Sequence, residues 1–191
     1  MLYSSQIIND CLNLAERNIQ KALSNFSQLS ENQLNWKPSS ENWSVGECIN
    51  HLLTTNKLYL AKIEKIINLF PSGSEKDYLY SQSLMGKMIT KAVDPANVKK
   101  FKTVKVFLPD KSTVRKTIVK DYVNSSKKFI EHINKIRYLD LKKIKLSSPV
   151  NILIRLNLGD SLIIIPKHDE RHLNQANGLM KMENFPKEGK R

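Results

Sequence analysis

Cysteine is nearly absent: the 191-residue chain holds 2, Cys11 and Cys48. They lie far apart and form no C-x-x-C pair, so neither a disulfide framework nor a redox dithiol is expected. Both read as buried thiols of a reducing compartment. Glycine (6) and proline (7) are also scarce, which argues against a turn-rich all-β fold. No apolar run approaches the roughly 18 residues of a membrane-spanning helix. The opening residues, MLYSSQIINDCLNLAERN, lack a basic start and are interrupted by Asp10. A signal peptide is therefore not expected, and a cytoplasmic location is.

Acidic residues are outnumbered, 18 against 31 Lys and Arg, for a net charge of +13. The excess concentrates between Lys99 and Lys145, with fifteen basic residues against four acidic. Such a patch could contact nucleic acid or an anionic surface. Lys heavily outnumbers Arg there, however, and no aromatic signature is interleaved. A solvated lysine-rich face is the simpler reading, with a nucleic-acid partner as the alternative.

What remains is ordinary for a globular protein: 40% hydrophobic and 26% charged residues. The length suits one domain spanning 1–191 with a real core. Four long helical patterns account for most of it. The first runs over about residues 4–26, with Ile7, Ile8, Cys11, Leu12, Leu14, Ala15, Ile19 and Leu23 as its apolar stripe. In the second, Ser44 and Glu47 fit a capping box, with Trp43 as a hydrophobic staple. That helix should run to Phe70 and stop at Pro71-Ser72-Gly73. A third is expected from Ser112 to about Arg137, with His132 at the surface. The fourth should open near Gly159 or Asp160 and end near Met182, with Pro166 either kinking it or marking its first turn. Between the second and third helices, residues 71–111 read as an irregular or extended insertion, with a short strand or strap over 101–108. The fold class expected is all-α.

Chemistry concentrates in the histidines. His168 and His172 stand four residues apart in HDERHLNQ, so on a helix both imidazoles share one face and can point at one ion. His51 closes WSVGECINH, two turns into the second helix. Neutral imidazole is the commonest metal ligand, and three protein ligands plus solvent is the pattern of a catalytic zinc-type site. The H-x-x-x-H spacing alone is also common on plain polar surfaces. It is not the H-E-x-x-H of zincin proteases, because Asp169 stands where the glutamate would be.

The two segments together are more specific. W-S-V-G-E-C-I-N-H-L (Trp43 to Leu52) and H-D-E-R-H-L-N-Q (His168 to Gln175), in this order and separation, resemble the DinB-like and YfiT-like superfamily of metal-dependent enzymes. The resemblance covers nearly the whole chain. It implies a four-helix bundle in which His51, His168 and His172 bind a divalent metal, zinc or nickel, with solvent at open positions; imidazole sites do not discriminate sharply among such ions. It also implies a homodimer, and a small-molecule substrate handled by hydrolysis or by transfer of a low-molecular-weight thiol. Arg171 and Gln175 fit the resembling motif and become candidates for supporting the ligands or facing substrate. Cys48 and Glu47 are candidates by position, although a small core filler and a capping box explain them as well. The motif does not account for the segment 71–111 or for the positive charge. A nucleic-acid-associated or regulatory bundle, and a purely structural bundle, are the competing classes.

Overall fold

In the computed structural model, which describes residues 2–70, 75–97, 99, 101–109 and 112–187, the chain is mostly helical. Four long helices dominate: α1 (Ser4–Phe26), α3 (Val45–Leu69), α5 (Ile118–Ile136) and α6 (Leu158–Met180), with shorter α2 (Glu31–Asn35) and α4 (Leu84–Val93) between them. α3 and α1 each pack against both α5 and α6. Two small antiparallel pairs join β1 (Leu2–Tyr3) to β2 (Leu79–Tyr80) and β3 (Lys145–Ser147) to β4 (Arg155–Asn157). Among the described residues no helix is long and apolar enough to cross a membrane.

The helix starts follow local chemistry. Glu47 N–H donates to Ser44 Oγ at 3.0 Å and Ser44 N–H to Glu47 Oε2 at 2.8 Å, a complete capping box at the start of α3. Asn157 and Asp160 form an equivalent box before α6, and Ser30 and Gln33 another before α2. Helix α1 matches its expected span, and Ile7, Ile8, Cys11, Ala15, Ile19, Ala22 and Phe26 line its buried face. Leu12 and Leu14 are only half-buried and Leu23 is exposed, so part of the expected stripe faces outward.

Three expectations are corrected. Helix α5 begins at Ile118 and not at Ser112. The amide of Asn35 holds Val114 in both directions, Asn35 Nδ2 donating to its carbonyl at 2.9 Å and its N–H donating to Asn35 Oδ1 at 2.8 Å. Glu31 accepts from Lys116 N–H. These bonds to α2 take the backbone groups that an earlier helix start would need. Of the two readings of residues 101–108, the short strand is absent; 105–107 make a single 3-10 turn, closed by Phe107 N–H on the Val104 carbonyl. His132 is buried, 4% exposed, and not at the surface. The insertion between α3 and α5 also holds the ten-residue helix α4, capped by Ser83 Oγ. Of the residues expected to stop α3, Pro71 to Gly73 lie outside the described residues; the helix itself ends at Leu69.

The apolar core has two clusters, one around Ile63, Phe129, Ile133 and Leu162, the other around Phe26, Leu34, Leu52 and Leu173. Each long helix places a buried polar residue where it passes from one cluster to the other: Asn18, Asn56, Ser126 and Asp169. The candidate site stands against this polar seam.

Candidate metal centre

Two rigid elements carry the three imidazoles. His51 lies in the second turn of α3, past its capped start, and is 3% exposed. His168 and His172 lie one turn apart on α6, their ring centroids 4.6 Å apart. Pro166 sits inside α6 and does not mark its first turn. Its carbonyl accepts from Asn18 Nδ2 at 2.8 Å, which ties α1 to α6 two residues before His168. The ring of His51 is 4.9 Å from that of His168 and 4.5 Å from that of His172, centroid to centroid.

Hydrogen bonding orients these rings. A carbonyl only accepts, so His51 Nδ1 must donate to the Phe107 carbonyl at 2.5 Å, which leaves the Nε2 lone pair free. That Nε2 lies 3.1 Å from His168 Nε2. Likewise His172 Nδ1 donates to Gln175 Oε1 at 2.9 Å and keeps its own Nε2 lone pair. One ligand nitrogen from each of the three residues falls within 4.8 Å of the others. A tetrahedral ion with metal–nitrogen bonds of about 2.1 Å would hold its ligand nitrogens roughly 3.4 Å apart, so the spacing fits one ion. The fixed Nδ1–H on two of the rings is the arrangement that ligating histidines commonly use. His168 Nδ1 is buried without a partner and has no such support.

Burial keeps all three rings neutral, the form that ligates. It is the largest cause in each case, holding His51 below its usual range and His168 well below it. For His172 it combines with proximity to His51 to bring the value down to about 3. Trp43 stacks obliquely on His51 (4.8 Å) and His172 (5.7 Å), which gives the site an apolar wall. Behind His168, the Asp169 carboxylate accepts from Asn56 Nδ2 at 3.2 Å and from Tyr122 OH at 3.1 Å. Burial raises Asp169 to about 7, against the opposing effect of those two donors.

A family model described as the DinB superfamily matches residues 14–176, most of the chain and all three histidines. The chain belongs to the DinB superfamily. No curated protein and no solved structure gives a significant match.

Within this DinB chain the remaining candidates occupy distinct places. Gln175 orients His172, as described. Arg171, between the two histidines on α6, points to the backbone after α4: its guanidinium donates to the carbonyls of Asp94 (2.9 Å), Asn97 (2.5 Å) and Lys99 (2.7 Å). Lys167 adds an ion pair to Asp94 at 2.8 Å, and this pairing is the main reason the Asp94 carboxyl lies below its ordinary value. The carboxylate of Glu47 serves the capping box and pairs with Lys37 at 2.8 Å. Cys48 is fully buried in the core, and burial pushes its thiol far above the ordinary range.

Sequence reasoning missed the Phe107 carbonyl, because a backbone acceptor 56 residues from His51 leaves no side-chain signal. It also missed the grouping of Asn56, Tyr122 and Asp169. A polar residue interrupting the apolar stripe of each of three helices was the available signal. A separate open groove of about 700 Å³ between α3 and α5, lined by Asn50, Lys57, Arg115 and Asp121 among others, includes none of the three histidines.

Proposed function

We propose that this protein is a metal-dependent enzyme of the DinB/YfiT type, a single domain whose four long helices form that superfamily's bundle. His51, His168 and His172 would hold one divalent transition metal, zinc or nickel, and the substrate is a small molecule. The observation that carries the reading is the hydrogen bonding of His51 and His172 through Nδ1, which leaves the Nε2 lone pair of each uncommitted, in a cluster where His51 Nε2 lies 3.1 Å from His168 Nε2 and one nitrogen of each ring falls within 4.8 Å of the others.

When bound, such an ion supplies Lewis acidity, polarising a substrate atom or lowering the pKa of a coordinated water or thiol. The protein's own groups prepare for that chemistry. The Phe107 carbonyl and Gln175 Oε1 hold the Nδ1 protons of two rings, so those rings cannot turn their lone pairs away. Trp43 excludes water from one side of the imidazoles. Two carboxylates near the histidines in sequence are engaged, Glu47 in its cap and Asp169 with Asn56 and Tyr122. Activation of the nucleophile is therefore assigned to the ion, in hydrolysis or in transfer of a low-molecular-weight thiol.

The test is elemental analysis of protein made without a histidine tag, beside the His168→Ala/His172→Ala variant. Near-stoichiometric transition metal in the parent and its loss in the variant is the expected result. Parent protein that takes up no metal even after reconstitution would refute the proposal.

A further inference from the structure

The β3–β4 hairpin presents apolar side chains to solvent at its tip. Ile152 is 77% exposed, Leu153 83% and Val150 41%. This tip is a built turn. Ser148 N–H donates to the Ile154 carbonyl at 2.7 Å, Ile154 N–H to the Asn151 carbonyl at 3.0 Å, and Leu153 N–H to Asn151 Oδ1 at 2.9 Å. Its root is anchored by buried Leu146 and Leu156 and by Lys62 Nζ on Ser147 Oγ at 2.9 Å. The exposed side chains are thus held outward by structure.

The base of the hairpin is predominantly basic. Lys142, Lys143, Lys145 and Arg155 are all exposed there. The carboxylate there, Asp140, is half-buried, accepts from the N–H groups of Lys142 and Lys143, and lies 3.9 Å from the Lys143 ammonium, which stays highly exposed. More apolar surface lies at the same end of the molecule. Asp160, at the start of α6 just after β4, bonds Tyr80 of β2 and Ser83. That contact brings the exposed Leu2, Tyr3 and Leu79 of the β1–β2 pair to this end.

We propose that this end of the molecule docks on an anionic lipid surface. Val150, Ile152 and Leu153 enter the boundary between headgroups and acyl chains, while the lysines at the hairpin base and Arg155 contact the headgroup phosphates and carboxylates. Three partner chemistries compete, and charge and polarity separate them. A nucleic acid satisfies the lysines but offers nothing to a protruding aliphatic tip. A second copy of the chain offers apolar surface but sets two basic surfaces face to face, in a protein already carrying +13. An anionic bilayer supplies both an apolar interior and negative headgroups, and interfacial anchoring combines those two contributions. Docking of this kind needs no membrane-spanning helix.

The experiment is co-sedimentation of the full chain with phosphatidylcholine vesicles, with and without phosphatidylserine, beside an Ile152→Ser/Leu153→Ser variant. The expected result is binding only to the phosphatidylserine vesicles, weakened by salt, and about tenfold or more weaker in the variant at unchanged melting temperature. A second measurement places an environment-sensitive dye on a Val150→Cys variant, which leaves the side chain of Asn151 and its turn bond in place, since Cys11 and Cys48 are both buried; its emission should shift to the blue on those vesicles. Three results would overturn the proposal: no binding to anionic vesicles, a serine variant that binds as tightly as the parent, or a dye that stays in water. A dimer in light scattering, abolished by the serine variant and without vesicle binding, would assign the tip to a second copy instead.

Discussion

The Nδ1 proton of His51 is held by the carbonyl of Phe107 at 2.5 Å, which fixes the tautomer of the single ligand candidate on α3. The acceptor is backbone, so no substitution of the Phe107 side chain removes it. His51 is in consequence the point where the site can be broken cleanly. A His51→Ala variant is expected to lose stoichiometric metal while its far-ultraviolet circular dichroism stays helical. Metal content equal to that of the parent would remove His51 from the ligand set.

Gln175 acts on the site at one remove, through His172 Nδ1. Loss of an orienting partner typically costs a ligand site about 10- to 100-fold in affinity. Gln175→Ala should therefore weaken metal binding by about that factor in competition with a chelator, with full stoichiometry at saturating metal. A variant that binds as tightly as the parent would show that the hydrogen bond does not orient the ring.

The buried ionisable groups give the metal-free protein opposed pH dependences. The three histidines have folded values below the ordinary 6.5, so their contribution is complete above that pH and is lost as pH falls from 6.5 towards the folded values, about 3 for His172. Asp169 is raised from 3.8 to about 7, so its contribution is present below 4 and is lost as pH rises through 7. An Asp169→Asn variant should gain in melting temperature relative to the parent as pH rises from 4 to 8, because it removes only the second effect. A constant difference across that range would mean that Asp169 does not titrate there.

Neither thiol is poised to react. Burial is the largest cause raising both, Cys11 to about 12 and Cys48 higher still, and the thiolate is the reactive form. A chromogenic disulfide reagent should find no accessible thiol in the native protein at neutral pH and 2 after denaturation. Rapid native labelling would place a cysteine at the surface and revive Cys48 as a reactive group.

Arg171 binds three carbonyls with one guanidinium. Its truncation to Ala should expose the segment 94–99 to limited proteolysis well before the helices are cut. Lysine at this position, with a single ammonium in place of the planar fork, should restore only part of the protection. Cleavage kinetics identical to the parent would show that the contact contributes nothing to order there.

Local chemistry written in adjacent residues was readable without a structure. Ser44 and Glu47 form their capping box within one turn, so the start of α3 and the placement of His51 on it follow from four consecutive residues. His168 and His172 share a face because 3.6 residues complete a turn, whatever surrounds them. The span of α1 follows from the same periodicity. Long-range partners decided the rest. Asn35 captures the backbone of Val114 from 79 residues away and delays α5, although Ser112 is a competent local cap. His132 is interior because its neighbours close over it, which no property of its own heptad announces. The Phe107 carbonyl reaches His51 only once the chain after α4 is folded back. Sequence thus determined which histidines could share a face. Tertiary packing alone decided that the two faces meet, that a nitrogen of each ring comes within 4.8 Å of the others, and that burial keeps the rings uncharged.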